Sequence, residues 1–240
     1  MQKLQTALLF AGILACTSLQ AQWKKITGNG NQVTRDRSLS GFSEVSVAGV
    51  MQVIISEAAT ISVQVQADEN LQEYILTEVK GNKLTIKHPN NVSINSKGVK
   101  VMIKMPKLDA AGVSGSGSIT GQGTMPASGN FTASISGSGN INLKTSAKAV
   151  GAHISGSGDI ALGGTTSELE VSISGSGSFK GFDLKATDVE VKISGSGSVE
   201  TTASSKLDAK VSGSGDVFYK GNPSLSLKTS GSGKIKKSDG

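Results

Sequence analysis

The side chains in this sequence that could do chemistry are few and widely spaced. There are two histidines, His88 and His153, one cysteine, Cys16, and carboxylates that fall mostly in alternating stretches such as Leu169-Glu170-Val171 and Val189-Glu190-Val191. Acid–base catalysis needs at least two such groups converging on one bond. In an alternating strand they point singly to solvent. His153 directly precedes Ile154, so alternation that buries the isoleucine exposes the histidine. His88 stands before Pro89 in a turn-like stretch and reads as a surface residue.

Asp159 and Asp216 occupy matching positions after a Gly-rich tetrapeptide, where other copies hold Ser118, Asn140, Ser178, Ser198 and Lys234. If the copies are stacked strands, these two carboxylates lie three rungs, or about 14 Å, apart. That is too far for the acid and base of glycoside hydrolysis. Gly-x-Gly-x-Asp also resembles part of a calcium-binding repeat, but a calcium cage draws acidic oxygens from nearly every half-coil, and only two of the seven copies supply one. After Gly115 and Gly117 the third glycine is displaced to Gly121, which breaks the dinucleotide fingerprint. Stacking on sugars would want exposed aromatics, and the chain has only Trp23, Tyr74 and Tyr219 besides its phenylalanines. The expectation is a protein without catalytic residues, cofactor or metal. A carbohydrate-active enzyme with a shallow site on a solenoid flank, a lyase or hydrolase, is the alternative, and a calcium-stabilised repeat protein a further one.

The elements that would position any site are set by a repeat. Ser-Gly-Ser-Gly starts at Ser114, Ser136, Ser155, Ser174, Ser194, Ser212 and Ser230, at spacings of 22, 19, 19, 20, 18 and 18 residues. Such a period marks a solenoid of 18–22 residues per coil. An aliphatic residue usually precedes each tetrapeptide and another apolar one follows two positions later, as in Val113 and Ile119, Ile154 and Ile160, or Ile173 and Phe179. Upstream, Leu169-Glu170-Val171-Ser172-Ile173 and Leu207-Asp208-Ala209-Lys210-Val211 alternate with period two. Each coil therefore reads as strand, glycine bend and second strand, with the remainder a third side or a loop. A flexible Gly/Ser linker would not recur at this interval between alternating strands.

The structural turn glycines are Gly115, Gly117, Gly137, Gly139, Gly156, Gly158, Gly175, Gly177, Gly195, Gly197, Gly213, Gly215, Gly231 and Gly233. Glycine reaches positive φ without steric cost and lets backbones stack closely. In register, the bends form ladders with a step of about 4.8 Å. Before the repeats, residues 40–112 are β-rich but irregular and begin or cap the solenoid; Asp68 to Leu76 reads as a helical turn capped by Asp68, and Gly81-Asn82 as a tight turn. Residues 113–237 form the repeat solenoid, 22–39 an N-terminal linker and 238–240 a tail. The basic Lys234-Ile235-Lys236-Lys237 is suited to guarding the last strand against aggregation.

Residues 1–21 stand apart. Lys3 precedes an apolar run, Leu4 to Leu14, too short to span a bilayer, and Ala21 offers a cleavage point, so the segment reads as a secretory signal. Ile13-Leu14-Ala15-Cys16 offers the alternative of lipidation at Cys16. Cleavage after Ala21 leaves no thiol, no span for a membrane, and a formal charge of +5 from 23 cationic and 18 acidic side chains. Without aromatics interleaved among the basic residues this charge does not point to nucleic acid. The destination is the periplasm, the outer-membrane surface or the extracellular space.

These residues carry a resemblance. Phe42-Ser43-Glu44-Val45-Ser46-Val47, the run Val63 to Leu71, Gly81-Asn82-Lys83-Leu84-Thr85-Ile86 and the repeated Val/Ile-Ser-Gly-Ser-Gly are similar to the putative auto-transporter adhesin, head GIN domain family, over about Ser40 to Tyr219. The resemblance implies an all-β, right-handed parallel β-helix-like solenoid in the envelope of Bacteroidetes-type bacteria, with an adhesive or scaffolding role. It supplies no catalytic residues. The partners expected are surface polysaccharide, a host or matrix protein, or further copies of the chain, engaged by broad Ser/Thr/Lys faces in many weak contacts.

Overall fold

The computed structural model describes residues 24–96 and 98–238. The signal segment with Cys16, as well as Trp23, lies outside the described residues. Strand accounts for 73% of the described residues and helix for 3%, in stacked parallel coils of about seven turns. An all-β solenoid is therefore what the repeat builds.

The coils are single long strands that bend without losing their partners. Asn140–Gly156, Asp159–Gly175, Ser178–Gly195 and Ser198–Gly213 pair in parallel, each on the next. Between them only the Ser-Gly of each bend interrupts the ladder. Side chains facing inward stack by type: Ile154 on Ile173 on Ile193, and Ala152 on Val171 on Val191. Across the coil Ile160 meets Phe179 and then Val199 in register. All of these are 3% exposed or less. Burying each such aliphatic or aromatic side chain contributes roughly 2 kcal/mol, which offsets the entropy of ordering the backbone.

Unequal spacings would ruin this register if the extra residues fell at the bends. They fall on the far side instead, where the register shifts between Ala161 and Gly164 and between Gly181 and Lys185. The strand leading into each bend stays in strict register, as from Glu168–Gly175 through Asp188–Gly195 to Lys206–Gly213. At the corner opposite the bend, buried threonines satisfy the backbone: Thr145 Oγ1 donates to the Met125 carbonyl at 3.1 Å and Thr166 Oγ1 to that of Lys148 at 3.1 Å. The remainder of the coil is not an unpaired loop, because pairing runs past this corner from Ser146 to Ala149 with only Lys148 unmatched.

The stack begins earlier than the tetrapeptides. Glu44–Gly49 and Gln52–Glu57 form a coil under Ala110–Gly115 and Ser118–Pro126. Its bend is Ala48-Gly49-Val50-Met51, with Gly49 at φ 103° and the Gly49 and Met51 carbonyls accepting from Ser116 and Ser118. Beneath it lie Lys83–Lys87 and Lys100–Met105, later in sequence but earlier in the stack. Antiparallel strands close this end: Leu76–Lys80 covers Lys83–Lys87, while Ser62–Asp68 and then Gln32–Arg37 cover Lys100–Met105. Residues 24–37, expected as linker, thus carry strands Lys24–Thr27 and Gln32–Arg37. Ordering them is the Arg37 guanidinium, which donates to both the backbone carbonyl and the side chain of Gln72.

The helical turn is a 3₁₀ segment, Glu69–Tyr74, but Asp68 makes no capping bond to it. Its carboxylate is buried and accepts from Gln32 Nε2 at 2.7 Å. Tyr219 is also buried, at 8% exposure, which removes it as a sugar platform.

Candidate interaction surface

Two different constraints hold the bends, one for each glycine. The first glycine of every tetrapeptide has φ between 104° and 126°, the left-handed region closed to most side chains. Its partner two residues on has no such φ, but a β-carbon there would meet the bend below: on Gly158 it would lie 2.5 Å from the Gly139 oxygen and 2.6 Å from Ile135 Cγ2. Such close approach lets each bend bond to the next, as Ser157 N to Gly137 O at 2.9 Å and Asp159 N to Gly139 O at 3.1 Å.

With the bends locked, outward side chains form columns. The first serines of the tetrapeptides, Ser114, Ser136, Ser155, Ser174, Ser194, Ser212 and Ser230, stack in register and are all exposed. Two positions before them runs a second column: Ser46, Gly112, Ser134, His153, Ser172, Lys192, Lys210 and Lys228. A third contains Glu170, Glu190 and Asp208. This face is small and neutral toward the capped end and charged toward the other.

The charges interlock across columns. Lys192 Nζ sits 2.8 Å from Glu190 and 3.5 Å from Glu170, and Lys210 Nζ 3.6 Å from Asp208. The hydrogen bond to Glu190, then that carboxylate's charge, raises the Lys192 pKa above its ordinary value. Besides a depression of about 430 Å³ along Lys192, Lys210 and Lys228, two shallow ones mark the face. One, of about 400 Å³, runs over Ser46, Gly112, Ser134 and Ser155; the other, of about 510 Å³, lies among Glu168, Glu170, Asp188 and Glu190. His153 lines both.

The residues weighed for catalysis fall as follows. His153 is exposed, as alternation requires. His88 is half-buried, with its Nδ1 3.1 Å from the Tyr74 carbonyl, so it is a packed residue and not a freely solvated one. Asp159 and Asp216 are three rungs apart along Ser178 and Ser198; the first lies 3.9 Å from Lys180 Nζ, and the second accepts from the Lys234 amide at 2.9 Å. Among the described residues no three His, Cys, Asp or Glu side chains gather as metal ligands would. Phe182 was not anticipated as a surface aromatic: it sits in the bulge, half-buried, with Lys220 Nζ 4.7 Å from its ring centre. Only the extra length of that repeat could have signalled it.

Comparison with known proteins bears on this architecture. The pattern of the putative auto-transporter adhesin, head GIN domain family matches residues 41–223. The chain belongs to that family. A solved structure described as a putative adhesin of Bacteroides fragilis superposes with TM-score 0.84 at 25% identity, covering 88% of this chain and 99% of that one. A putative lipid binding protein of Parabacteroides distasonis superposes with TM-score 0.73 at 29% identity, covering 90% and 100%. Another putative adhesin of that species gives TM-score 0.70 at 25% identity over 90% and 100%. No curated protein matches the chain significantly. Among the described residues no helix is long and apolar enough to cross a membrane.

Proposed function

We propose that this head GIN domain protein is a non-enzymatic, exported surface module that adheres to an extended polymer through its columned face. The observation that carries the reading is the in-register repetition of exposed Ser, Lys and carboxylate side chains over successive coils. A face with one group per rung offers a polymer many equivalent weak contacts, and their linkage gives avidity without a deep pocket. Its shallow depressions suit a chain lying along the surface better than an enclosed small molecule. The family and the adhesin descriptions of its structural relatives support the same reading. Surface polysaccharide is the favoured polymer. Export rests on the Lys3-to-Ala21 segment, with lipidation at Cys16 as the other processing route.

The test is binding of residues 22–240 to an array of neutral and acidic polysaccharides, matrix proteins and lipid vesicles, with mass spectrometry of the exported N-terminus. Binding to a polysaccharide that strengthens with polymer length and falls at least about tenfold in Lys192→Glu/Lys210→Glu is expected. Absence of binding across the array contradicts the reading. So does cleavage of a polysaccharide that is lost in His153→Ala or Asp159→Ala.

A further inference from the structure

The two ends of the stack are treated differently. Antiparallel strands cover the first coil, whereas among the described residues the last coil, Ser224–Gly231 and Ile235–Lys237, pairs only with the coil below it. Its outer edge therefore presents backbone N–H and C=O groups without strand partners. The inward columns also stop uncovered. Leu225 and Leu227 are 46% and 41% exposed, whereas Leu207 and Ala209, their partners one rung below, are fully buried.

Charge selects what can complete this end. Residues 206–240 carry seven lysines against Asp208, Asp216 and Asp239, a balance of +4, whereas residues 24–205 balance 16 cations against 15 carboxylates, or +1. On the last coil Lys228, Lys234 and Lys236 have no ion-pair partner among the described residues, and Lys237 donates to Asn222. A second copy meeting end to end would bring these lysines together. Meeting the opposite end, it would face the strands Gln32–Arg37 and Leu76–Lys80, whose carboxylates Asp36 and Glu78 are already met by Gln64 and by Lys80 and Lys87.

We propose that the C-terminal end is a docking edge for an extended acidic segment of another protein. That segment would add as one more strand, its apolar alternate residues covering Leu225 and Leu227 and its carboxylates meeting the lysines. An anionic glycan would satisfy the lysines but neither the backbone edge nor the leucines. The same lysines that keep like copies apart thus admit one class of partner.

The test uses residues 22–240 and a synthetic peptide alternating Glu or Asp with Val or Ile, against its scrambled, lysine-substituted and all-glutamate counterparts. Hydrogen exchange by mass spectrometry and fluorescence anisotropy are read together. Protection of the amides of residues 224–231, binding at least about tenfold tighter than any control peptide, and about tenfold weakening on raising the salt are expected. Leu227→Asp should abolish the protection, and Lys234→Gln/Lys236→Gln/Lys237→Gln the salt dependence, with the melting temperature nearly unchanged in both. Equal binding of poly-glutamate or an anionic glycan, no protection of this strand, or concentration-dependent dimers without peptide would each overturn the proposal.

Discussion

The oxygen of Gly137 lies 2.5 Å from where a β-carbon on Gly156 would stand, while the same oxygen accepts the amide proton of Ser157 at 2.9 Å. One contact forbids a side chain and the other ties two coils together. Because this pair recurs at every rung, the bend is a stacking device before it is a turn.

Gly156→Val should therefore lower stability by about 3 kcal/mol or more, combining the strain of a positive φ with overpacking against the rung below. Asp159→Asn, at an exposed ion pair, should stay within about 0.5 kcal/mol of the parent. Urea unfolding of the two variants checks the contrast, and similar losses at both positions would count against the bend as described.

Core burial should matter by rung. Phe179 is fully buried between Ile160 and Val199, so Phe179→Ala should cost about 3–5 kcal/mol. Leu225→Ala, on the uncovered last coil, should cost under about 1 kcal/mol. Melting curves of both variants would reveal whether the C-terminal end is as open as its exposure indicates.

Thr201 is fully buried and its hydroxyl has no hydrogen-bond partner among the described residues. An isosteric Thr201→Val removes a desolvated polar group and should stabilise the protein by about 1 kcal/mol. A loss of that size would mean the hydroxyl has a partner in solution.

Asp109 supplies a pH dependence. Burial works to raise its pKa, but the Ser128 amide at 2.6 Å, the Ser43 and Ser128 hydroxyls and the charge of Lys107 outweigh it and hold the carboxyl below its ordinary 3.8. A carboxylate with a depressed folded pKa stabilises above the unfolded pKa and loses that contribution as pH falls through the folded value. Asp109→Ala should thus cost about 1 kcal/mol at neutral pH, with the deficit shrinking below about pH 4. A deficit that is constant with pH would assign the effect to packing alone.

The tetrapeptides made most of this architecture legible, because glycine at fixed offsets from aliphatic residues leaves little choice of bend or face. The coil at Ala48-Gly49-Val50-Met51 escaped, since only one of its four residues keeps the motif. Its signal was the six-residue step from Val47 to Val53, the same as from Val113 to Ile119. The swap that puts Lys83–Lys87 and Lys100–Met105 beneath an earlier coil was not readable, because parallel pairing depends on which edge is free and not on chain order. Asp68 misled for a related reason: its type suits a helix cap, yet Gln32, 36 residues away, holds it. The interaction face was legible only in part. Alternation says which residues point out, but register decides that Lys192 falls between Glu190 and Glu170.

The stack requires equal rungs, and distances between spin labels measure them directly. In Cys16→Ser protein, cysteines placed at exposed serines would be labelled in the pairs Ser114 with Ser194, Ser114 with Ser212, and Ser114 with Ser230, which are four, five and six rungs apart. Narrow distributions that lengthen by about 4.8 Å per rung are predicted, up to about 29 Å between the backbones. Broad distributions that grow with the square root of chain length would contradict the stack.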